Sequence, residues 1–469
     1  MKISVSVAAG NSLTGLATLA VFEKKMFDVL PDVEVVTASA GQKADVRIYV
    51  PHKIAPLSWN NTIIINKTEN RLVLLFNPDI DEYLKTGQQI KISCCAGINT
   101  LLINDFLQKA FPATGNKADI LLEESENFPE QQLSLLYDKK VNGVLLNLAD
   151  INLLMQNERS VNDVLLSLKA ARKIVLPLFE CPPVTGSGLI LADITNEKLV
   201  QTLSILNDAT AGNILERELS FSQKSEEENG FAFYVFTAQT KNVSFLYGMG
   251  KNAAQKTVSE WLFDMPLSLK NKQLFSATDY MKDFFSYQYH DVKPDADKEA
   301  FFIATHKAIH SPELFDCIAS KQVWAAGTRT WYELAKKGIW VNGCADALGL
   351  EFLLPVLQSA AIALQKNNIQ IITNTSSVVH WKADGWPACG TYELIPEHAA
   401  EIQEGIRQAD CIFWTSFQQF QEYSKAAKPG AQHLCPAGKT AVLIKTAGHI
   451  PFIFPTIKAF NDWRVLNER

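Results

Sequence analysis

Two short stretches in the second half of the chain bring together residue types that could bind an anion. Residues 326–330 read AGTRT and residues 437–441 read AGKTA, so each stretch supplies a glycine, a hydroxyl and one cation. A glycine lets a ligand approach the backbone closely, and the free N–H groups at a helix N-terminus carry a partial positive charge. The two stretches therefore predict binding of a polyanion, with Arg329 and Lys439 as the cations.

The lysine-containing stretch is not a nucleotide-binding P-loop. That motif requires a glycine five positions before its Gly-Lys pair, and His433 stands there. Thr330 and Thr440 also have a simpler role open to them, because threonine is a common N-cap residue that bonds the first turn of a helix. The sequence leaves both roles open for these two threonines.

The two stretches belong to an internal repeat with an offset of 110 residues. In each copy an apolar strand ends in threonine and a polar residue, and a helix, a second strand, the Gly/Thr turn and another helix follow. The paired positions are Thr305 and Thr415, Thr330 and Thr440, and Gly338 and Gly448. Ligands of open parallel sheets bind beyond the carboxyl ends of the strands. The repeat therefore predicts two similar α/β lobes whose strand ends face a shared cleft.

The first 220 residues alternate short apolar runs with helical patterns, which predicts an α/β architecture with mostly parallel sheets. The strand candidates are ISVSV, VEVVTAS, DVRIYV, TIIINK, LVLLFN, QIKISCC, ADILLEE, GVLLNLA and KIVLPLF. The charged segment at 221–230, FSQKSEEENG, is expected to be a break between domains. A hairpin over 230–250 and then a helix around 252–263 are expected to follow it.

Composition excludes several classes of protein. The chain has 469 residues, which predicts two to four domains, and its net charge of -6 argues against a bulk nucleic-acid binder. The eight cysteines contain no C-x-x-C pair, so neither a zinc site nor a disulfide scaffold is expected. His306 and His310 could share one helix face, but two ligands alone do not make a metal site. We therefore expect no bound metal.

The first 25 residues are mostly apolar, but polar residues at 10–12 interrupt them. We interpret this segment as a strand, a capped turn and a helix from about Leu13 to Leu30, and not as a signal peptide. No apolar run approaches the roughly 18 residues that a membrane span needs. We therefore expect a cytoplasmic protein that does not bind membrane. From its charge we expect no nucleic-acid binding, and we also expect a monomer.

The second half of the chain resembles uroporphyrinogen-III synthase. The stretches that carry the resemblance occur in the family's order and with roughly its spacing, from about Leu267 to the C-terminus. They are FFIATHKAI, VWAAGTRTWYELAKKGI, IQIITNTSS, YELIP, CIFWTSFQQF and CPAGKTAVLIKTAGH. The family has two similar α/β lobes joined by a two-stranded hinge, which agrees with the repeat.

This resemblance implies a reaction and a set of site residues. The linear tetrapyrrole hydroxymethylbilane, a polycarboxylate, would be cyclised to uroporphyrinogen III with inversion of ring D and loss of water, without a metal or an organic cofactor. Tyr392 matches the tyrosine proposed in the family as the general acid; its alternative role is that of an aromatic residue packed at the hinge. The residues expected to bind the substrate are Thr305, Gly327, Thr330, Asn374, Ser376, Thr415, Ser416, Gly438, Lys439 and Thr440.

The first half resembles porphobilinogen deaminase, whose product is the substrate of the synthase. FECPPVTGSGLILA, LNDATAGNILEREL and VNGVLLNLADINLL carry the resemblance. It implies two α/β domains like those of periplasmic binding proteins, followed by a small α+β domain. The expected domains are 1–220, with 91–175 as the second domain, then 221–266 as the small domain and 267–469 as the synthase-like module.

Departures from the deaminase pattern predict that this half has no deaminase activity. The family's catalytic aspartate lies in a His-Ser-Leu-Lys-Asp stretch, and Lys53 stands near that place here. SCCAGIN at 93–99 and LEESENFPEQQL at 122–133 replace the family's arginine-containing stretches, so the carboxylates of a polypyrrole lose bidentate partners. No cysteine follows ERELSF to carry the dipyrromethane cofactor, so no cofactor is expected.

Three other interpretations remain open from the sequence. The chain could be a non-catalytic tetrapyrrole-binding or regulatory protein in which both halves are degenerate. It could be a bifunctional deaminase and synthase. It could also be a periplasmic-type receptor for a small molecule, although the expected lack of a signal peptide counts against that.

Overall fold

The computed structural model describes residues 1–10, 12–38, 43–51, 61–68, 70–95, 97–111, 119–156, 166, 168–280 and 283–467. The chain divides into two compact units. Unit 1 consists of residues 1–236, 248–260 and 358–363, and unit 2 consists of residues 237–247, 261–357 and 364–469. Among the helices within the described ranges, none has the length and apolar character that crossing a membrane requires.

Unit 1 contains two five-stranded sheets. The first is formed by β1 (Lys2–Val7), β2 (Glu34–Thr37), β3 (Val46–Tyr49), β4 (Thr62–Lys67) and β10 (Leu189–Ile194), in the order β2-β1-β3-β10-β4. The second is formed by β5 (Leu72–Phe76), β6 (Ile90–Cys95), β7 (Ile120–Ser125), β8 (Gly143–Asn147) and β9 (Arg172–Val175), in the order β7-β6-β8-β5-β9. In each sheet one strand, β10 or β5, runs antiparallel to both of its neighbours.

The two sheets of unit 1 therefore share one topology, and the chain leaves the first sheet after β4 and returns to it with β10. Two α/β domains connected in this way are the arrangement of periplasmic binding proteins, as the predicted fold class requires. All nine strands predicted from apolar runs are present. A continuous apolar run suits a strand that is covered on both faces, and all five residues of β5 are buried, although β5 runs antiparallel to its neighbours.

Seven helices of the described residues connect or cover these strands. They are α1 (Leu13–Val29), α2 (Ile80–Thr86), α3 (Thr100–Ala110), α4 (Pro129–Tyr137), α5 (Leu148–Gln156), α6 (Val200–Leu203) and α7 (Ala209–Asn229). The predicted first helix forms because Ser12 caps it, its hydroxyl accepting a hydrogen bond from the Gly15 N–H at 3.0 Å. Its apolar side, including Phe22 and Met26, packs on the core of the first sheet.

The charged segment at 221–230 is not a break, and that prediction is wrong. It forms the last turns of α7, and the predicted domain boundary at residue 221 falls inside this helix. Lys224 and Glu228 pair one turn apart at 3.6 Å, which is the spacing at which opposite charges support a helix. The helix ends at Gly230, whose φ of 76° is left-handed and suits a residue without a side chain.

A three-stranded sheet follows, in the order β11 (Tyr234–Gln239), β12 (Ser244–Lys251) and β13 (Thr257–Phe263). The predicted hairpin corresponds to β11 and β12. The helix predicted around 252–263 is wrong, because β13 occupies most of that range. Its sequence, TVSEWLF, combines β-branched and aromatic residues that favour a strand.

Unit 2 contains a six-stranded and a four-stranded sheet. The first lobe is built on β15 (Phe285–Tyr289), β16 (Ala300–Ile303), β17 (Gln322–Ala325), β18 (Gly343–Cys344), β19 (Ile369–Asn374) and β20 (Ala388–Pro396), in the order β15-β20-β19-β16-β17-β18. The second lobe is built on β14 (Leu274–Ser276), β21 (Cys411–Phe413), β22 (Gln432–Pro436) and β23 (Phe452–Phe454), in sequence order.

The predicted repeat is confirmed at the level of the elements. The helices of unit 2 are α8 (Pro312–Ala319), α9 (Thr328–Lys336), α10 (Leu350–Leu357), α11 (Thr375–Ala383), α12 (Ala400–Gln408), α13 (Phe417–Tyr423), α14 (Lys439–Thr446) and α15 (Ile457–Asn467). With an offset of 110, β16, β17 and β18 overlap β21, β22 and β23, and α9 overlaps α14. The closing glycines also match, since Gly338 has a φ of 84° and Gly448 a φ of 88°.

The two lobes of unit 2 are connected by an antiparallel ribbon. The chain passes from β14 in the second lobe to β15 in the first, and from β20 in the first lobe to α12 in the second. β15 pairs with the end of β20 from Phe285 opposite Pro396 to Tyr289 opposite Tyr392. This ribbon is the hinge of unit 2, and it carries Tyr392.

Candidate functional site

The Gly/Thr turns lie at the carboxyl ends of equivalent strands, each directly before a helix. α9 begins at Thr328 with Gly327 as its N-cap, and α14 begins at Lys439 with Gly438 as its N-cap. The N-cap alternative for Thr330 and Thr440 is therefore wrong, because both lie inside the first turn. The first four N–H groups of each helix have no partner within that helix, so both turns keep the donors that an anion requires.

Neighbouring residues in the first turn of α9 point in different directions. Thr330 is 8% exposed and points toward the interior of the first lobe, whereas the neighbouring Arg329 is exposed. Thr440, its partner in the repeat, is half-buried. Since successive residues of a helix turn by about 100°, the hydroxyl of Thr330 is less accessible to a ligand than the guanidinium of Arg329.

The other predicted hydroxyls and amides serve mainly as local caps. The N–H and the hydroxyl of Thr415 donate to Gln419 Oε1 at 2.9 and 2.8 Å, and Ser416 caps α13. Asn374 caps α11, its Oδ1 accepting from the Ser377 N–H at 2.9 Å and from the Ser376 hydroxyl at 2.7 Å.

Thr305 lies at the end of β16 with extended backbone. Its carbonyl accepts from the N–H of Ala308 at 3.0 Å, which closes a short 3₁₀ turn over His306–Ala308. The turn ends before His310, so His306 and His310 do not share a helix face. Within the described part of the chain, no group of three or more His, Cys, Asp and Glu residues could hold a metal ion.

Lys439 is engaged by the first lobe. Its Nζ lies 2.9 Å from Asp384 Oδ2 and 3.7 Å from the centre of the Trp381 ring. Burial lowers the pKa of Lys439, and the hydrogen bond with Asp384 opposes that shift. We call these three residues the lobe clasp, because Lys439 begins α14 in the second lobe and the other two lie on or directly after α11 in the first.

Gly438 meets the first lobe at the same place. Its φ of 85° is left-handed, and a Cβ added there would lie 3.2 Å from the carbonyl oxygen of Leu348. Both features favour glycine. A second contact between the lobes joins Gln418 on α13 to the hydroxyl of Ser377 on α11. The expected cleft is therefore closed along α11, where Lys439 contacts protein, and the predicted ligand Gly438 contacts Leu348, directly before α10.

Tyr392 belongs to an aromatic surface on the hinge, which we call the tyrosine face. The ring centre of Tyr392 lies 5.6 Å from that of Tyr287 and 6.4 Å from that of Tyr289, distances at which aromatic rings attract each other. Tyr392 is 4% exposed, whereas Tyr289 is 47% exposed. Burial raises the pKa of the Tyr392 phenol, and a hydrogen bond with the Asn374 side chain opposes the shift. The phenol therefore keeps its proton at neutral pH.

Basic side chains lie beside the tyrosine face. Lys307 Nζ lies 3.8 Å from the centre of the Tyr287 ring, a cation–π contact. Burial lowers the pKa of His306, and the positive charges of Arg329, Lys337 and Lys307 contribute to the shift in the same direction, against Glu333. His306, Lys307, Arg329 and Lys337 therefore form a basic cluster around the 3₁₀ turn and the two ends of α9.

Most of this arrangement was not predicted from the sequence. Tyr392 and Arg329 were expected at the site, but Tyr287, Tyr289 and Lys307 were not. A usable signal was present, since YQY at 287–289 alternates as a strand does and places both tyrosines on one face. What the sequence lacks is the pairing of β15 with β20, which places Tyr289 opposite Tyr392 and Tyr287 two residues away, opposite Leu394.

Two cavities lie away from the predicted site residues. One, of 450 Å³, is on the second lobe beside His433 and His449. The other, of 540 Å³, is in unit 1. Neither is lined by a residue that we predicted to bind substrate.

The chain is an α/β protein. The topology of the two five-stranded sheets in its first half is that of the domains of periplasmic binding proteins. No protein-family model matches the sequence, and no curated protein matches it. Solved structures with some likeness include an arginine transport periplasmic binding protein from Legionella pneumophila, with 12% identity over 47% of this chain and 98% of that one, at a TM-score of 0.27. Another is a polar amino acid ABC uptake transporter substrate-binding protein from Streptococcus thermophilus. It has 13% identity over 49% of this chain and 87% of that one, at a TM-score of 0.23.

Proposed function

We propose that residues 267–469 are a uroporphyrinogen-III synthase, which cyclises hydroxymethylbilane with inversion of ring D and loss of water. The observation that supports this most is the tyrosine face with the basic cluster beside it, on the hinge of a two-lobed module. A linear tetrapyrrole combines flat aromatic rings with carboxylates. Aromatic side chains stack on such rings, and Arg and Lys pair with carboxylates.

The proposed chemistry needs little more than positioning and one proton donor. The substrate is itself reactive, so holding it in a conformation that closes with inversion lowers the barrier. Tyr392 would protonate the departing hydroxyl group as a general acid. Water has a pKa of about 15.7, so even a phenol with a raised pKa is the stronger acid. Neither a metal nor an organic cofactor enters this proposal.

We propose further that the deaminase-like half does not polymerise porphobilinogen. Cys94 and Cys95, which belong to the stretch that replaces the family's arginine-containing segment, are buried on β6, and burial raises the pKa of the Cys94 thiol to about 12. They supply neither a cation nor a reactive thiolate. Lys53, near the place of the family's catalytic aspartate, lies outside the described residues.

The experiment that tests the synthase proposal is an isomer assay. Full-length protein is mixed with hydroxymethylbilane, and the products are oxidised and separated by chromatography. We expect the type III isomer to exceed the spontaneously formed type I in proportion to protein concentration. Type I at every protein concentration would reject the synthase, and tight binding of the product without turnover would favour a tetrapyrrole-binding protein instead. The same protein given porphobilinogen should consume none.

A further inference from the structure

The 450 Å³ cavity of the second lobe lies at the edge of the sheet opposite to the Gly/Thr turn. Gln432 and Phe452, the first residues of β22 and β23, line it, whereas the turn that contains Lys439 follows the carboxyl end of β22. The volume is within the range of about 300 to 1,000 Å³ that is usual for small-molecule sites. The cavity is therefore separate from the site proposed for the synthase reaction.

One histidine in the wall of this cavity is held as a neutral hydrogen-bond donor. The indole N–H of the buried Trp414 donates to His433 Nδ1 at 3.1 Å, so the neutral ring carries its proton on Nε2. Burial lowers the pKa of His433 to about 4, and the charge of His449 acts in the same direction. The ring centres of Phe420 and His449 lie 5.2 and 5.1 Å from that of His433, and these contacts restrict its orientation. Within the described part of the chain the Nε2–H group has no hydrogen-bond partner, and it is not buried, so it can donate to a ligand.

Two further side chains of the lining keep donors for a ligand. Lys428 Nζ pairs with Asp410 Oδ1 at 2.6 Å and donates to the carbonyl of Gln408 at 3.0 Å, which leaves one of its three protons. Gln432 Oε1 accepts from Lys272 Nζ at 2.8 Å, and the amide N–H groups of Gln432 have no partner among the described residues. The described residues that line the cavity include no Asp or Glu. Donors therefore predominate in the lining.

Apolar side chains form much of the remaining wall. They are Ala427, Pro429, Ala431, Ile450 and Phe452. Ile450 is 93% exposed, so an apolar ligand that covers it removes apolar surface from water. Ser424 and His449 complete the polar lining, and the hydroxyl and the imidazole can each donate as well as accept a hydrogen bond.

We propose that this cavity binds a small carboxylate with an apolar body, whose oxygens accept hydrogen bonds from His433 Nε2 and Lys428 Nζ. A carboxylate has only acceptors, which suits a lining of donors, and the lysine makes one of these hydrogen bonds charge-assisted. The apolar body packs on Ile450 and Phe452. An ammonium group in the same place would lie beside Lys428 as a like charge, with no carboxylate of the lining to pair with.

Three probes built on the same ring separate the contribution of the carboxylate from that of the apolar body. Benzoate carries a carboxylate, benzyl alcohol a hydroxyl and benzylammonium a positive charge. Saturation-transfer NMR on the full-length protein should show benzoate binding at least fivefold more tightly than benzyl alcohol, and benzylammonium without measurable binding. Benzyl alcohol binding as tightly as benzoate, or no binding by any probe, would overturn the proposal.

A lysine variant and a matched control locate the site. Lys428→Gln removes the charge and should weaken benzoate binding at least threefold without changing that of benzyl alcohol. Its ion pair with Asp410 is more than a third exposed on both sides and contributes little to stability, so this variant is expected to fold. Lys425→Gln, an exposed change three residues away that does not line the cavity, should leave both affinities unchanged. An equal loss of benzoate binding in both lysine variants would mean that benzoate responds only to the general charge of the surface, which would overturn the site.

His433→Phe tests the neutral donor. It keeps an aromatic ring and removes Nε2–H, so benzoate binding should weaken at least fivefold. The variant also leaves the indole N–H of Trp414 without its acceptor, which costs stability. Where it does not fold, the Lys428→Gln result decides, and unchanged benzoate affinity in that variant would contradict the proposal. None of the probes is a tetrapyrrole, so these measurements stand or fall independently of the synthase proposal.

Discussion

At the scale of single residues, the proposed acid can be tested by removing one oxygen. Tyr392→Phe keeps the ring in the tyrosine face and deletes the phenol that would donate the proton. Since general acid catalysis contributes about 100-fold or more, we expect the rate of type III formation to fall by about that factor with little change in KM. The measurement is steady-state kinetics on hydroxymethylbilane.

Tyr289→Phe is the matched control for this variant. It makes the same change on the same face, but Tyr289 is 47% exposed and has no proposed role in proton transfer. We expect its rate to stay within about threefold of the unmodified protein. If the two variants lose activity equally, the face binds substrate but Tyr392 is not the acid.

Individual residues also show where sequence reasoning ends. The repeat correctly paired Thr330 with Thr440, but Thr330 is buried and Arg329 is exposed. The direction of a residue within a first turn depends on where the helix begins, and the sequence suggested a threonine cap where glycine stands. The cap lies three residues before Thr330, and since successive residues of a helix turn by about 100°, an error in the helix start changes which side chains are predicted to face the core.

At the scale of elements, the lobe clasp predicts which contact holds α14 against the first lobe. The Asp384 side chain is 57% exposed, so its ion pair with Lys439 should contribute only about 0.2 to 1 kcal/mol and weaken in salt. The contact between Lys439 and the Trp381 ring should contribute a similar amount that salt changes less. Double-mutant cycles, with Lys439→Ala combined with Trp381→Ala or with Asp384→Asn, measure both couplings by urea unfolding.

A cycle on Glu333 and Lys336 serves as the control. These residues pair at 2.7 Å within α9, so their coupling reports an ion pair on a single helix. We expect the Lys439–Asp384 coupling to fall in high salt as that of the control does, and the Lys439–Trp381 coupling to persist. Absence of coupling in both Lys439 cycles would mean that the clasp does not hold the lobes together.

The strands that were predicted correctly are more deeply buried than the strand that was mistaken for a helix. Strands such as β5 and β8 are buried on both faces, so their apolar runs identify them without knowledge of their neighbours. β13 is half-buried along most of its length, and its mixed pattern fitted a helix as well. In α7, a charged run that resembled a linker is helical, because Lys, Glu and Gln are good helix formers.

At the scale of the whole molecule, the resemblance placed the start of the synthase-like module at residue 267, but earlier residues belong to unit 2. Phe245 and Tyr247 are fully buried, and their ring centres lie 5.6 and 4.5 Å from that of Trp261. The indole N–H of Trp261 donates to Asp462 on α15 at 3.0 Å. Sequence resemblance missed this segment because it lies outside the repeat.

This packing predicts that a chain of residues 267–469 is much less stable than one of residues 231–469. Losing a buried aromatic side chain typically costs about 3 to 5 kcal/mol, a large part of the total stability of a domain. We expect the shorter chain to melt about 10 °C or more below the longer one, or not to fold. Scanning calorimetry of both chains measures this, and Trp261→Ala in the longer chain should reproduce part of the loss. Equal melting temperatures would show that residues 237–247 and 261–266 are not needed for the stability of unit 2.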